Sequence, residues 1–410
     1  MKNYQDTCAD IFSHAKVLPA VEMAPLSAIG HSVAHDVKAP LSNPPFDNAA
    51  MDGVAFHHKD TQHASPTNPI YLPLIGMAAA GDKQAIASLK KGEAAEIMTG
   101  ATMPKGADTV MPIETVERVD NQLVFTKPYP AKKHVRQAGE DIKKGEVAIP
   151  KGMLLKPQHI PLLTALGLET ISVHPHPKAV WLATGRELVD DPQKPLNAHQ
   201  IYNSSSPYGA AILPALGADL LWQKTVSDDG VGFTKAVQKA MEDKVDIIIS
   251  TGAVSVGVFD FVRRELESMG AKIIVHGAKV RPGKPILFAL LPNGAFFFGL
   301  PGNPVSTAAC LRAFVAPFLA LCGGSKVEQP ITAILEKDSN APMHLTVFQK
   351  AMYHLTEQGT LSVTALMGQE SFKVRPMVYQ NCWLIHPEGK DILTHGEKVA
   401  ILPFTPNIFD

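Results

Sequence analysis

The chain has 410 residues, beyond the size at which a single hydrophobic core stops growing, so two or more domains are expected. Hydrophobic residues make up 45% and charged residues 19%, a globular balance that excludes a disordered or fibrous protein. With 38 basic and 39 acidic side chains the formal net charge is −1, which leaves no basic excess for a broad nucleic-acid face. An anionic ligand must then be held by local groups. The four cysteines, Cys8, Cys310, Cys322 and Cys382, form no CxxC pair, which argues against a zinc site and a disulfide framework and for a reducing, cytoplasmic setting. The N-terminus carries charges and no apolar signal core, and no apolar run reaches the length of a bilayer span. No membrane partner is expected.

In chain order, the first ~26 residues read as a short helix and an extended segment. Residues 40 to 150 are rich in Gly, Pro and β-formers without helical periodicity, with AAEIMT and QLVFTKP as strands and PKGAD as a turn. KPQHIPLLTALGLETISV reads as a helix ending at Gly167 and then a strand, and HPHPK (174–178) as a hinge. From Lys178 strands and helices alternate. KAVWLAT, DLLWQKTV, VDIIIST, AKIIVHG, PILFALL and AFFFGL are strand-like. SSSPYGAAILPALGA, VGFTKAVQKAMED, FDFVRRELESMG and the segment from GNPVSTAACLRAF are helix-like. Such alternation predicts a doubly wound, mostly parallel sheet, which binds ligands outside the carboxyl ends of its strands. Beyond Gly324, TVFQKAMYHL, LSVTALM, CWLIHPEG and KVAILPF predict a small β-domain.

The sharpest local feature is STGAVSVGVFD (250–260), between a buried strand and a helix. Gly252 and Gly257 permit a tight turn and close approach of a ligand, and the helix start offers N–H groups to an anion. Asp260 either caps that helix or holds a cation against a phosphate. A second loop, LPGNPVSTA (300–308), has Asn303 and Ser306 as possible caps and Pro304 in the first turn. Just upstream, VRPGKP places Arg281 and Lys284 on a turn, as an oxyanion clamp or as solvated turn residues. Acidic residues also stand at turns: Asp47, Asp52, Asp141, Glu187, Asp228 and Asp260. They are either turn formers or a source of oxygen ligands for Mg2+ shared with substrate phosphates. The histidines show no zinc spacing, His57 and His58 being adjacent and His174 and His176 flanking a proline, so surface and hinge roles are expected of them. No GxSxG elbow, P-loop or GxGxxG is present.

Taken together, NPPFDNAAMDGVAF (43–56), GEAAEIMTGATMPKGADTVMPIE (92–114), VRQAGEDIKKGE (135–146), LATGRELV (182–189), IYNSS (201–205), STGAVSVGVFDFV (250–262), RPGKP (281–285) and GLPGNPVS (299–306) resemble the molybdopterin molybdenumtransferase family, MoeA and the gephyrin E domain. Their fixed order spans nearly the whole chain. The resemblance implies a multidomain α/β plus β protein whose central sheet is a MogA-like molybdopterin-binding domain. A discontinuous linking domain (1–40 and 147–176), a β-rich domain (41–146), the α/β domain (177–324) and a C-terminal β-barrel-like domain (328–410) are implied. So is an elongated homodimer, with Asp52 and Thr99 of one subunit facing Glu187, Asp228 and Asp260 of the partner subunit. The implied reaction takes adenylylated molybdopterin, molybdate and Mg2+ and releases AMP, and a molybdopterin adenylyltransferase is an implied partner. Asp52, Thr99, Asp141, Glu187, Asp228 and Asp260 match the family's catalytic positions, the last three carboxylates also as metal ligands. Gly252, Ser255, Gly257, Arg281, Lys284, Pro301, Asn303, Pro304, Ser306, Lys350 and Ser371 match its substrate-binding positions.

The chain departs from the family pattern at Arg186, Ala253, Asn203 and Ser205, at His276 or Gly277, and at Lys350, where Asp, Gly, Asp, Asn, Lys and Arg respectively are common. Two other readings compete: a divergent nucleotide pyrophosphatase or adenylyltransferase, and a non-catalytic scaffold.

Overall fold

The computed structural model describes residues 1–82, 86–227, 230–252 and 261–406. The chain opens with a helix at Tyr4–Phe12, whose first turn is capped where Asn3 Oδ1 accepts the Asp6 N–H at 2.8 Å. Ile11 from this helix is buried in the α/β core, and Tyr4 packs edge-on against both Phe314 and Phe348. Strands Val21–Met23 and Ser32–Val33 then pair with Ile171–His174, and Val37–Lys38 pairs with Val147–Ile149. Segments more than a hundred residues apart thus share one core of Ala28, Val33, Ile149, Leu155, Leu163, Ile171 and Val173.

Between them lies a six-stranded sheet in the order Thr109–Pro112, Gly53–Phe56, Ala94–Ile97, Ile70–Ala78, Gln122–Phe125 and Glu117–Val119. Gly53–Phe56 is buried on both faces. Val54 and Phe56 enter one cluster and Ala55 the other, as the two-residue period of a strand requires.

A second six-stranded sheet is ordered Asp219–Val226, Lys178–Thr184, Ile247–Thr251, Phe296–Leu300, Leu287–Leu290 and Lys272–His276. The first four strands are parallel, and Leu287–Leu290 runs against both its neighbours. Ala179, Trp181, Ile247, Ile249, Phe296 and Phe298 pack against helices Ser205–Ala215 and Pro304–Cys310, while Val180, Leu182, Ile248 and Phe297 pack against Val231–Glu242 and Phe261–Ser268. Burial on both faces accounts for the continuous apolar runs in these strands.

One sequence expectation needs correcting. Pro304–Cys322 is a 19-residue helical run, long and apolar enough by length and composition to cross a membrane, but 83% of it is buried inside the protein. Pro317 lies within it. That proline has no N–H for the Ala313 carbonyl, and the helix passes through a π turn at Leu311–Val315 instead of stopping. The Tyr4 hydroxyl donates to the Ala313 carbonyl at 3.4 Å.

In the C-terminal region Thr346–Leu355, Leu361–Ala365, Ile331–Leu335, Lys398–Pro403 and Cys382–His386 follow one another around a sheet, and Cys382–His386 pairs back onto Thr346–Leu355. The sheet is therefore a closed five-stranded barrel around Leu335, Ala351, Val363, Leu384 and Ile401. Val280–Arg281 adds to it alongside Thr346–Val347, which fixes the Arg281 turn to the barrel.

Candidate active site

Four parallel strands end at the same edge of the α/β sheet, at Thr184, Val226, Thr251 and Leu300. Two of them end in Thr-Gly. Thr184 Oγ1 donates to the Thr251 carbonyl at 2.9 Å, and the Gly252 N–H donates to the Leu300 carbonyl at 3.1 Å. Gly252 has φ +89°, and a Cβ there would lie 2.5 Å from the Thr184 carbonyl oxygen. A Cβ on Gly302 would come within 3.3 Å of the Gly252 Cα, so the two Gly-rich loops touch backbone to backbone. Glu187 folds its carboxylate back over Gly185, filling space that a Cβ at that residue would need. Asp228 and Ala253, Ser255, Gly257 and Asp260 lie outside the described residues.

Beneath this edge is a buried polar cluster. Asn203 Oδ1 accepts the N–H groups of Ser205 and Ser206, each at 3.1 Å, and so caps the Ser205–Ala215 helix. Its Nδ2 donates to Asp190, Ser206 and Thr225, each at 2.9 Å. Ser205 Oγ lies 3.1 Å from Thr251 Oγ1. Asn203 and Ser205, two of the departures from the family pattern, thus link Asp190, the Thr225 strand end and the Thr251 strand end through hydrogen bonds. Thr184 and Thr251 were not singled out from the sequence; the repeated Thr-Gly at the ends of two buried strands is the signal that marks them.

The second loop is anchored from both sides. Thr307 Oγ1 donates to the Pro301 carbonyl at 2.6 Å, Pro304 opens the helix, and Ser306 is buried. Asn303 Nδ2 donates to Ser371 Oγ at 3.2 Å, which joins this loop to the barrel. Cys310 Sγ lies 3.7 Å from the Gly283 carbonyl, so the Arg281–Lys284 turn packs on the same helix. Neither the Arg281 nor the Lys284 side chain has a partner among the described residues, and both cations are exposed. Arg186 is exposed and engaged. The Arg281–Lys284 turn and the Asn303 loop are thus both fixed to the Pro304–Cys310 helix and to the barrel, a cationic and polar set suited to an oxyanion.

Lys350 sits elsewhere. It is fully buried, and its ammonium donates to the carbonyls of Glu370 and Lys373 at 3.2 and 3.0 Å. Burial pushes its pKa down. Its position on this structure is that of a brace for the loop carrying Ser371. Lys350→Met removes both donors and should cost about 1–3 kcal/mol, read as a lower urea midpoint, because two carbonyls lose their partner.

A different group of site residues lies in the 41–146 sheet. Asp52 Oδ1 accepts both the N–H and the Oγ1–H of Thr99 at 2.7 Å. The Thr99 hydroxyl, and then its N–H, hold the Asp52 carboxyl below the usual carboxylate value. Asp47 Oδ1 accepts the Ala138 N–H at 2.7 Å, and Asp141 Oδ2 accepts from Asn43 Nδ2 at 2.9 Å. Asn48–Ala49 pairs with Val135–Arg136, and the Gly100 N–H donates to the Ala49 carbonyl, so the three acidic turns belong to one end of this domain. No strand pairing and no hydrophobic cluster joins residues 41–146 to residues 177–324 among the described residues.

Residues 2–167 match the family model for the MoeA N-terminal region (domain I and II), and residues 180–321 match that for a probable molybdopterin binding domain. The chain is 34% identical over 384 residues to the molybdopterin molybdenumtransferase of Synechococcus elongatus, covering 93% of this chain and 94% of that protein. The chain belongs to the MoeA family of molybdopterin molybdenumtransferases. The Haemophilus influenzae member is 33% identical over 90% of both chains. The crystal structure of a MoeA protein from Pyrococcus horikoshii superposes with a TM-score of 0.83 at 29% identity, covering 98% of this chain and 99% of that one. The mixed α/β sheet and the closed barrel are thus arranged as in a solved MoeA protein.

Proposed function

We propose that this MoeA-family chain inserts molybdenum into adenylylated molybdopterin, taking molybdate and releasing AMP, as a cytoplasmic homodimer. The observation that carries the reading is the division of the site. An oxyanion-binding rim and a carboxylate stand on the α/β edge, while Asp52 and Thr99 stand on a separate core. A two-fold dimer brings such halves together twice, Asp52 and Thr99 of one chain facing Glu187, Asp228 and Asp260 of the partner subunit.

Substrate and molybdate are both anionic, so Arg281, Lys284 and the backbone amides of the two Gly-rich loops position them. The carboxylates of Glu187, Asp228 and Asp260 are hard oxygen donors of the kind Mg2+ takes, and the ion would offset phosphate charge there. In the reaction an oxygen of molybdate attacks phosphorus as the phosphoric anhydride P–O bond breaks and AMP departs, and the two dithiolene sulfurs replace oxygens on molybdenum, which leave as water with the thiol protons. Asp52, held ionised by Thr99, orients the reacting groups from the opposite side, and Asp141 orders that face. A molybdopterin adenylyltransferase is the partner that would supply the substrate.

The test is AMP release from adenylylated molybdopterin with Mg2+, with and without molybdate. Molybdate-stimulated release, lowered about 100-fold by Glu187→Gln, is expected from removal of one site carboxylate. Release indifferent to molybdate would identify a pyrophosphatase and contradict the proposal. So would tight binding without turnover, which describes a scaffold.

A further inference from the structure

The 41–146 domain holds a cluster of metal-ligating side chains that the transfer reaction does not use. His57 and His58 follow the Gly53–Phe56 strand, His57 capping a short 3-10 turn at His58–Thr61. Successive side chains on a strand point to opposite faces, but at this turn the two imidazoles stack with centroids 5.1 Å apart and planes within 20°. Asp108, fifty residues on, precedes the neighbouring strand Thr109–Pro112. It is fixed beside the histidines by two bonds, its Oδ1 accepting the His58 N–H at 2.8 Å and its own N–H reaching the Phe56 carbonyl at 3.1 Å. Asp108 Oδ2 then lies 2.5 Å from His58 Nδ1 and 3.8 Å from His57 Nε2. One ligand atom from each of the three residues falls within 4.8 Å of the other two, and all three side chains are 29–37% exposed.

We propose that His57 Nε2, His58 Nδ1 and Asp108 Oδ2 form a surface site for one Zn2+ ion, with solvent as the fourth ligand. Zn2+ bonds of ~2.1 Å in a tetrahedron place ligand atoms ~3.4 Å apart. The observed separations bracket that value. Replacing the proton shared by His58 and Asp108 with the ion widens the shorter contact and draws in His57. Two imidazoles and one carboxylate suit a borderline cation such as Zn2+ or Co2+ over Mg2+, which prefers an all-oxygen shell. His57 Nδ1 now accepts the Lys59 N–H at 3.2 Å, and binding through Nε2 moves the ring proton to Nδ1 at the expense of that weak contact. The backbone bonds of Asp108 are untouched, so the ligand frame exists before the metal arrives.

The full-length protein, stripped by chelator and returned to neutral pH, is titrated with Zn2+ and separately with Co2+. Calorimetry and the visible absorption of Co2+ are read beside His57→Ala and His58→Ala. The wild type should bind one Zn2+ per chain that each variant weakens at least tenfold, and the Co2+ band should fall with it. Zn2+ held elsewhere, such as at the carboxylates of the α/β edge, is common to all three proteins and cancels in the comparison. His57→Ala leaves the His58–Asp108 pair in place, so a misfolded variant is not the only probe. Binding in the wild type indistinguishable from that in both variants overturns the proposal, whatever AMP release shows.

Discussion

Gly252→Ala should lower the unfolding free energy by about 3 kcal/mol or more and remove transfer activity with it. Two costs add at one position. The residue sits at φ +89°, where a Cβ is strained, and that Cβ would meet the Thr184 carbonyl oxygen at 2.5 Å. The carbonyl cannot give way cheaply, because Thr184 is the last residue of a strand paired on both sides and its hydroxyl is bonded to the Thr251 carbonyl. The loop must move outward, breaking the Gly252 N–H bond to Leu300 and parting the two Gly-rich loops. Urea denaturation checks this directly: a midpoint equal to wild type would show that the loops tolerate the shift.

The second large effect falls on chemistry rather than stability. Asp52→Asn keeps an oxygen where Asp52 Oδ1 accepts both Thr99 bonds, so the fold and melting temperature should be nearly unchanged. It removes the charge, and the proposed role predicts a fall in kcat of about 100-fold or more with KM little altered. Thr99→Val separates the two contributions. It deletes the hydroxyl bond that does most to depress the Asp52 pKa and leaves the Thr99 N–H bond in place. The depressed pKa keeps Asp52 charged to a lower pH than an ordinary carboxylate. Losing the hydroxyl returns it upward, so the acid limb of the pH–rate profile should move to higher pH. An unmoved limb would mean that Asp52 ionisation does not govern activity.

Much of the α/β fold could be read from the sequence because strands buried on both faces leave continuous apolar runs such as VDIIIST and AFFFGL. The Gly-rich turns after those strands could be read for the same local reason. Contacts between distant segments were not legible. Nothing near Asp52 announces that Thr99, forty-seven residues on, donates two bonds to its carboxylate. Adjacent histidines carry no zinc spacing, and only the pairing of Gly53–Phe56 with Thr109–Pro112 delivers Asp108 to them. Lys350 matched a family binding position, yet it lies on the strand face opposite the core residue Ala351, where its ammonium donates to the carbonyls of Glu370 and Lys373. Nothing local in the sequence marks the π turn at Leu311–Val315 that carries the helix through Pro317.

The central claim is that each site takes Asp52 and Thr99 from one chain and Glu187 from the other, and subunit mixing tests it. Asp52→Ala and Glu187→Ala are purified as separate parents and are also co-expressed with distinguishable tags. If the site is shared across the two-fold axis, half the dimers are hybrids, and each hybrid holds one site with both residues intact. Random pairing then gives about a quarter of wild-type molybdate-stimulated AMP release, from two parents that have almost none. Activity no higher than that of either parent would place both residues in one chain's site and contradict the account.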